Sequence, residues 1–265
     1  MTSRRVTHPG RCRMANVHLV QLDIAWEDPA ANRGRITGLL DAHPIVPGDL
    51  VVLPEMAFTG FSLDPRRTLR ESEVNEAFLR ETAIRLGCTL VGGTAAVGRK
   101  TAANQSLAFA PDGTQLARYT KLQPFTLGGE AAAYERGDGI VLFDWAGLRI
   151  APLICYDLRF PEHFRAAVRQ GAEAFVVIAN WPVKRIHHWL ALLQARAIEN
   201  LALVVGVNRC GTDPTSTYNG RSVVVSPHGH VVADAGERER VVAVAVDAAD
   251  VRQWRREFPA LADMR

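Results

Sequence analysis

The sequence predicts an α/β fold in which two similar sheets pack face to face, and three observations carry that expectation. Strand-sized apolar runs alternate with segments of helical period along the whole chain, with no linker-like interruption. Several of those runs break abruptly into a polar residue, as strands do in sheets that collect their chemistry at carboxyl ends. Two hairpins of matched layout stand one in each half, over residues 106–119 with a Pro111-Asp112-Gly113 turn and over 222–233 with Pro227-His228-Gly229.

Taken in order, residues 16–23 read as a first strand and 29–42 as an amphipathic helix closed by the punctuation between Pro44 and Gly48. A strand over 49–54 delivers Glu55. Residues 75–86 repeat Ala77, Phe78, Ala83, Ile84 and Leu86 at helical spacing and stop at Gly87, a C-terminal cap. A strand over 88–96 follows, and the second arm of the first hairpin, 115–120, delivers Lys121. In the second half, 150–154 delivers Cys155 and 174–179 delivers Asn180, Trp181 and Pro182. Residues 184–200 form a helix with Ile186, Leu190, Leu193 and Ala197 on one face, and 201–207 delivers Asn208.

Composition narrows the classes. With 265 residues, 48% hydrophobic and 22% charged, the chain buries a substantial core, expected here as a single domain over 14–265 behind a loose basic leader, 1–13. No apolar stretch approaches the roughly 20 residues of a membrane span. A net charge of +3 with scattered arginines gives no support to a nucleic-acid partner. Cys12, Cys88, Cys155 and Cys210 form no C-x-x-C pair, which argues against a metal site and a disulfide framework and fits a reducing cytoplasm. Cys12, Cys88 and Cys210 are read as inert.

Cys155 differs because Glu55 and Lys121 arrive at comparable strand ends. A thiol attacks a carbonyl only as thiolate, so a neighbour must lower its pKa or take its proton. Glu55 is the candidate base; Lys121 is placed to favour the thiolate and to stabilise an oxyanion with a backbone N–H such as that of Tyr156. Each residue has a plain alternative: a strand Cys is usually packing, and a loop Glu or hairpin Lys is usually solvated. A papain-like pairing would need a positioned histidine, and His163, His187 and His188 are the only ones near suggestive segments. His187-His188 also raises a metal, but adjacent helix residues diverge and no carboxylate stands at i+4. Arg159 could meet a substrate carboxylate, although Glu162 three residues on makes a helix-face ion pair the stronger expectation. Asn180 and Trp181 are expected in the pocket wall, with Tyr156, Phe125 and Phe61 as further aromatic candidates.

The set Leu53-Pro54-Glu55, Tyr119-Thr120-Lys121, Cys155-Tyr156-Asp157-Leu158-Arg159-Phe160-Pro161-Glu162, Asn180-Trp181-Pro182 and Ala195-Arg196-Ala197-Ile198-Glu199-Asn200 resembles the nitrilase superfamily of carbon–nitrogen hydrolases. Within it, Phe125-Thr126-Leu127-Gly128-Gly129-Glu130 and the ending Glu257-Phe258-Pro259 are most similar to the omega-amidases, which deamidate 2-oxoglutaramate. The resemblance implies a four-layer α-β-β-α sandwich, a homodimer, no cofactor, and hydrolysis of a small ω-amide to carboxylate and ammonia through a thioester. It implies a Glu55, Lys121, Cys155 triad, with Glu130 as a second glutamate orienting the lysine or the attacking water. Ala131-Ala132-Ala133 departs from the more polar residues omega-amidases often carry there. An N-carbamoyl or deaminated-glutathione-like amide, acyl transfer to an amine, and a non-catalytic dimerisation or binding sandwich are the alternatives.

Overall fold

The computed structural model describes residues 15–264; the basic leader, Cys12 and the expected start at Met14 lie outside them. In the first half the chain runs β1 (Ala15–Gln21), α1 (Pro29–Asp41), β2 (Leu50–Val52), a short α2 (Pro65–Thr68), α3 (Ser72–Leu86), β3 (Thr89–Val97), β4 (Ala102–Phe109), β5 (Gln115–Thr120), a one-turn α4 (Glu130–Ala133) and β6 (Tyr134–Glu135). The second half runs β7 (Phe143–Trp145), β8 (Leu148–Ile154), α5 (Pro161–Arg169), β9 (Ala174–Ala179), α6 (Ile186–Asn200), β10 (Leu203–Asn208), β11 (Cys210–Thr212), β12 (Thr217–Asn219), β13 (Val223–Val225), β14 (Val231–Asp234), β15 (Arg240–Val246) and α7 (Ala248–Glu257).

These elements form the expected α-β-β-α sandwich. One sheet has the order β15-β1-β2-β3-β4-β5, with β6 beside β4, and the other β14-β13-β10-β9-β8-β7. Each contains a parallel trio, β1-β2-β3 and β8-β9-β10, so several carboxyl ends emerge on one rim. The two hairpins noted in the sequence each fall at the edge of a different sheet, β4-β5 in one and β13-β14 in the other. The last strand returns to the first sheet, where Arg240–Val246 runs antiparallel to Ala15–Gln21.

Period-2 alternation sorts the first sheet's side chains between two interiors. Val17, Leu19, Leu50 and Val52 face the second sheet, where they join Ile150, Val176 and Val205 in the central core. Val20, Val51 and Leu90 point the other way onto Ile36 and Leu40 of α1 and Leu79 and Ala83 of α3. Trp189, Leu193 and Ala197 of α6 cover the second sheet's outer face. Burying each such Val or Leu contributes about 1.5–3 kcal/mol.

Local signals set the helix ends. Asp28 caps α1 by accepting from the Ala31 N–H, with Pro29 at the first position. Gly87 closes α3 at φ 61°, in the left-handed region, as the sequence predicts. Helix α3 begins at Ser72, earlier than the expected 75, and α6 is preceded by a 3₁₀ turn, Val183–Arg185, where a continuous helix from 184 was expected.

Gly93 on β3 is a point of close approach. A Cβ there would lie 2.5 Å from Glu55 Cα, 2.6 Å from Met56 N and 2.6 Å from Pro54 O. These are backbone atoms and cannot rotate away, so Gly93→Ala is expected to cost at least about 2 kcal/mol of stability. Urea denaturation measures this; an unchanged midpoint would show that the Pro54–Met56 turn yields freely.

Candidate active site

Three chain turns bring the thiol, the carboxylate and the amine together. Glu55 leaves β2 in a turn where the next residue, Met56, takes φ 44°. Lys121 follows β5, its N–H held by the Asn104 carbonyl at 2.9 Å. Cys155 follows β8 at φ 45°, a conformation that costs a non-glycine residue free energy and persists only where the surroundings impose it.

Lys121 Nζ lies between two carboxylates, 2.8 Å from Glu55 Oε1 and 2.9 Å from Glu130 Oε2, and all three side chains are shut off from solvent. Asn104 donates from its Nδ2 to Glu55 Oε1 and to Glu130 Oε1, at 2.8 Å each. The remaining Glu55 oxygen accepts from the Asn180 N–H at 2.8 Å, while Asn180 Nδ2 donates to the Glu55 carbonyl at 2.7 Å. Glu130 Oε2 also accepts from the Phe125 N–H at 2.6 Å, which ties the lysine to the lip beginning at Phe125.

The charges set the resting protonation. Burial alone would raise Glu55, but the Lys121 ammonium and the hydrogen bonds from Lys121, Asn104 and the Asn180 N–H hold it below the usual carboxylate range. Burial would likewise lower Lys121, yet the charges of Glu130 and Glu55 keep it well above its ordinary value. For Cys155, burial and then the Glu55 charge push the thiol well above its ordinary range, and Lys121 opposes them without prevailing. Lys121 therefore favours the thiolate as the sequence predicts, but the resting sulfur is a neutral thiol beside an ionised carboxylate.

Cys155 and Lys121 open into a pocket of about 410 Å³ that Phe61, Phe125, Tyr156, Asn180 and Trp181 also line. All five expected pocket residues are thus brought together, although Asn180 is equally a clamp on Glu55. Phe61 stacks beneath the lysine, its ring centroid 5.3 Å from Nζ. Glu55 and Glu130 stand behind the wall. Asn208 lies behind it too, bracketing the Trp181 backbone by accepting from its N–H at 2.7 Å and donating to its carbonyl at 3.0 Å.

Arg159 departs from its expected pairing with Glu162. It ends a 3₁₀ turn, Cys155–Arg159, whereas Glu162 belongs to α5, so the two do not share a helix face. The guanidinium instead lies over Trp181, 4.9 Å from the ring centroid, donates to His188 Nδ1 at 3.2 Å, and lines the pocket. Arg185 lines it as well and sits 5.7 Å from the Phe125 ring centroid. Among the described residues neither arginine has a carboxylate in ion-pairing reach. No histidine lines the pocket and no metal-binding cluster occurs among the described residues, so the papain-like and metal readings gain nothing. Sequence reasoning missed Asn104 and three pocket-lining residues, Arg185, Trp26 and Tyr218; for Arg185 the signal was its place three residues after Pro182, on the loop that already carried Trp181.

The family model for carbon-nitrogen hydrolases matches residues 16–256. An omega-amidase of Yersinia enterocolitica is 38% identical over 252 residues, 92% of this chain and 94% of the relative. A 2-oxoglutaramate amidase of Bacillus subtilis is 31% identical over 252 residues, 94% of this chain and 97% of the relative. Among solved structures, a CN-hydrolase superfamily protein of Xanthomonas campestris superposes with a TM-score of 0.90 at 34% identity, covering 96% of this chain and 98% of that one. Fold and sequence together define a nitrilase-superfamily sandwich. The chain belongs to the carbon-nitrogen hydrolase family, and the omega-amidases are among its relatives.

A thiol whose pKa is raised holds its proton across neutral pH. Alkylation of Cys155 by iodoacetamide is therefore expected to keep accelerating above the ~8.5 of a free thiol. Glu55→Gln removes the negative charge that raises the thiol and should move the profile to lower pH. Rates that level off below pH 8 in the wild type, or a profile unmoved in the variant, would contradict this electrostatic assignment.

Proposed function

We propose that this protein is a cysteine-dependent amidase that hydrolyses a small linear ω-amide carrying a carboxylate, such as the amide of a dicarboxylic or 2-oxo acid, to the free acid and ammonia. One observation carries the substrate class: the pocket holding Cys155 and Lys121 is also lined by two guanidiniums, Arg159 and Arg185, which have no acidic partner among the described residues. A substrate carboxylate supplies the charge they lack, and the apolar faces of Phe125, Tyr156 and Trp181 suit the short chain between carboxylate and amide.

In this reading Cys155 Sγ attacks the amide carbon as Glu55 takes its proton. The oxyanion is met by Lys121 Nζ and the Tyr156 N–H. Glu55 returns the proton to the leaving nitrogen, the C–N bond breaks, and ammonia departs from a thioester. Water, deprotonated by Glu55, then attacks the thioester; the C–S bond breaks and the thiol regains its proton. Glu130 keeps Lys121 aimed at the reacting carbon and takes no proton.

An amidase from Nesterenkonia sp. AN1, 25% identical with a TM-score of 0.80, has been solved in complex with butyramide. A glutamate-to-glutamine variant of that amidase shows the result of Michael addition of acrylamide at its active-site cysteine. The same reading takes residues 14–265 as one domain, assembling as a cytoplasmic homodimer that needs no cofactor.

Ammonia release from 2-oxoglutaramate and succinamate tests the proposal, with butyramide and an N-carbamoyl amino acid alongside. Turnover of both ω-amides that vanishes in Cys155→Ala is expected. A charge-assisted hydrogen bond contributes about 1.5–3 kcal/mol, so Arg159→Gln and Arg185→Gln should each lower kcat/KM for succinamate by roughly tenfold to a hundredfold. The loss for butyramide should be much smaller. Equal losses on both amides would remove the carboxylate from the reading, and release from the carbamoyl compound alone would replace the substrate class.

A further inference from the structure

Asp157 is fully buried, two residues after the cysteine, and the chemistry above makes no use of it. Its Oδ2 accepts from the Tyr119 hydroxyl at 2.7 Å and from the Ile154 N–H at 2.9 Å; its Oδ1 accepts from the Gln123 N–H at 2.8 Å. The Tyr119 hydroxyl in turn accepts from the Leu122 N–H at 3.3 Å. These contacts frame two residues. Tyr119, Leu122 and Gln123 flank Lys121 on both sides, and Ile154 and Asp157 flank Cys155.

We propose that Asp157, with Tyr119 as its relay, is a positioning residue that locks the Cys155 turn to the segment carrying Lys121 and so fixes the distance between sulfur and ammonium. The inference rests on reading Cys155 as the nucleophile and Lys121 as its electrostatic partner. Three features support it. The two residues stand on different sheets, since β5 ends at Thr120 and β8 at Ile154, so no ladder hydrogen bond sets their separation. Cys155 is held at φ 45°, a conformation that needs outside support, and the Ile154 N–H beside it is bound by Asp157. Only a side chain that accepts at both oxygens satisfies the three donors, and a carboxylate does so where an amide would face an N–H with its own NH₂.

Burial pushes Asp157 up to about 7 against the Ile154 N–H, the Lys121 charge, the Tyr119 hydroxyl and the Gln123 N–H. A carboxylate sited so unfavourably for its charge contributes through what it holds.

The test compares Asp157→Asn, Tyr119→Phe and the double variant on succinamate, with Cys155→Ala as reference and kcat expressed per site able to react with iodoacetamide. Misplacement of a reacting group by about 1 Å costs up to a hundredfold, so Asp157→Asn should lose tenfold to a hundredfold in kcat with KM within about twofold. Tyr119→Phe, the milder change, should lose roughly twofold to tenfold in the same pattern, and it carries the test if Asp157→Asn does not fold. The double variant should lose less than the two single losses combined, because the two side chains share the Tyr119–Asp157 bond. Wild-type kcat per reactive site, a loss confined to KM, or additive losses would each overturn the clamp. Activity surviving in Cys155→Ala would overturn the underlying reading of the nucleophile instead.

Discussion

A single buried ammonium must neutralise two buried carboxylates, and much of the site is arranged around that constraint. Lys121, Glu55 and Glu130 are all removed from water, where an unpaired charge costs several kcal/mol and removal of one partner about 3–5 kcal/mol. Lys121 cannot satisfy four carboxylate oxygens alone. Asn104 bridges the two acids, the Asn180 N–H takes the last Glu55 oxygen, and the Phe125 N–H completes Glu130. Because those donors come from β4, the end of β9 and the lip after Lys121, satisfying the charges also fixes the relative placement of both sheets at this rim.

The same arrangement divides labour within the pocket. The acids lie behind the wall and the thiol and ammonium in front of it, so a ligand meets a neutral sulfur and a positive charge before it meets a carboxylate. Farther out, Arg159 and Arg185 extend the positive potential over aromatic faces. Under the proposed function, that gradient draws in an anionic substrate and Glu55, kept ionised by Lys121, accepts the thiol proton when attack begins.

Much of this was legible in the sequence because strand ends are abrupt. The break from apolar run to Glu55, Lys121, Cys155 and Asn180 marks a rim, and the hairpins mark two sheet edges. Asn104 was not legible: it lies within a strand in the polar run Asn104-Gln105-Ser106, and which face it serves depends on pairing with β3 and β5. Arg159 and Glu162 have helical spacing, yet Pro161 begins the helix between them and voids the pairing. Arg185 carries no sequence signal beyond its place after Pro182, and only the fold of the loop after β9 turns it into the pocket. Asp157 stands in the motif after Cys155 with no sign in the sequence of Tyr119 and Gln123, partners that the other sheet's segment supplies.

The pH dependence of stability in Lys121→Gln tests the central charge balance most directly. With the ammonium gone, at least one buried glutamate should hold a proton in the folded state that the unfolded chain releases near its ordinary ~4.3. A folded pKa raised in this way makes stability fall as pH climbs above that value. The account therefore predicts that the urea stability of the variant, relative to wild type, declines steadily between pH 5 and pH 8 while remaining closest to wild type at the acid end. Parallel stability curves for the two proteins across that range would contradict it, since the carboxylates would then stay ionised without the lysine.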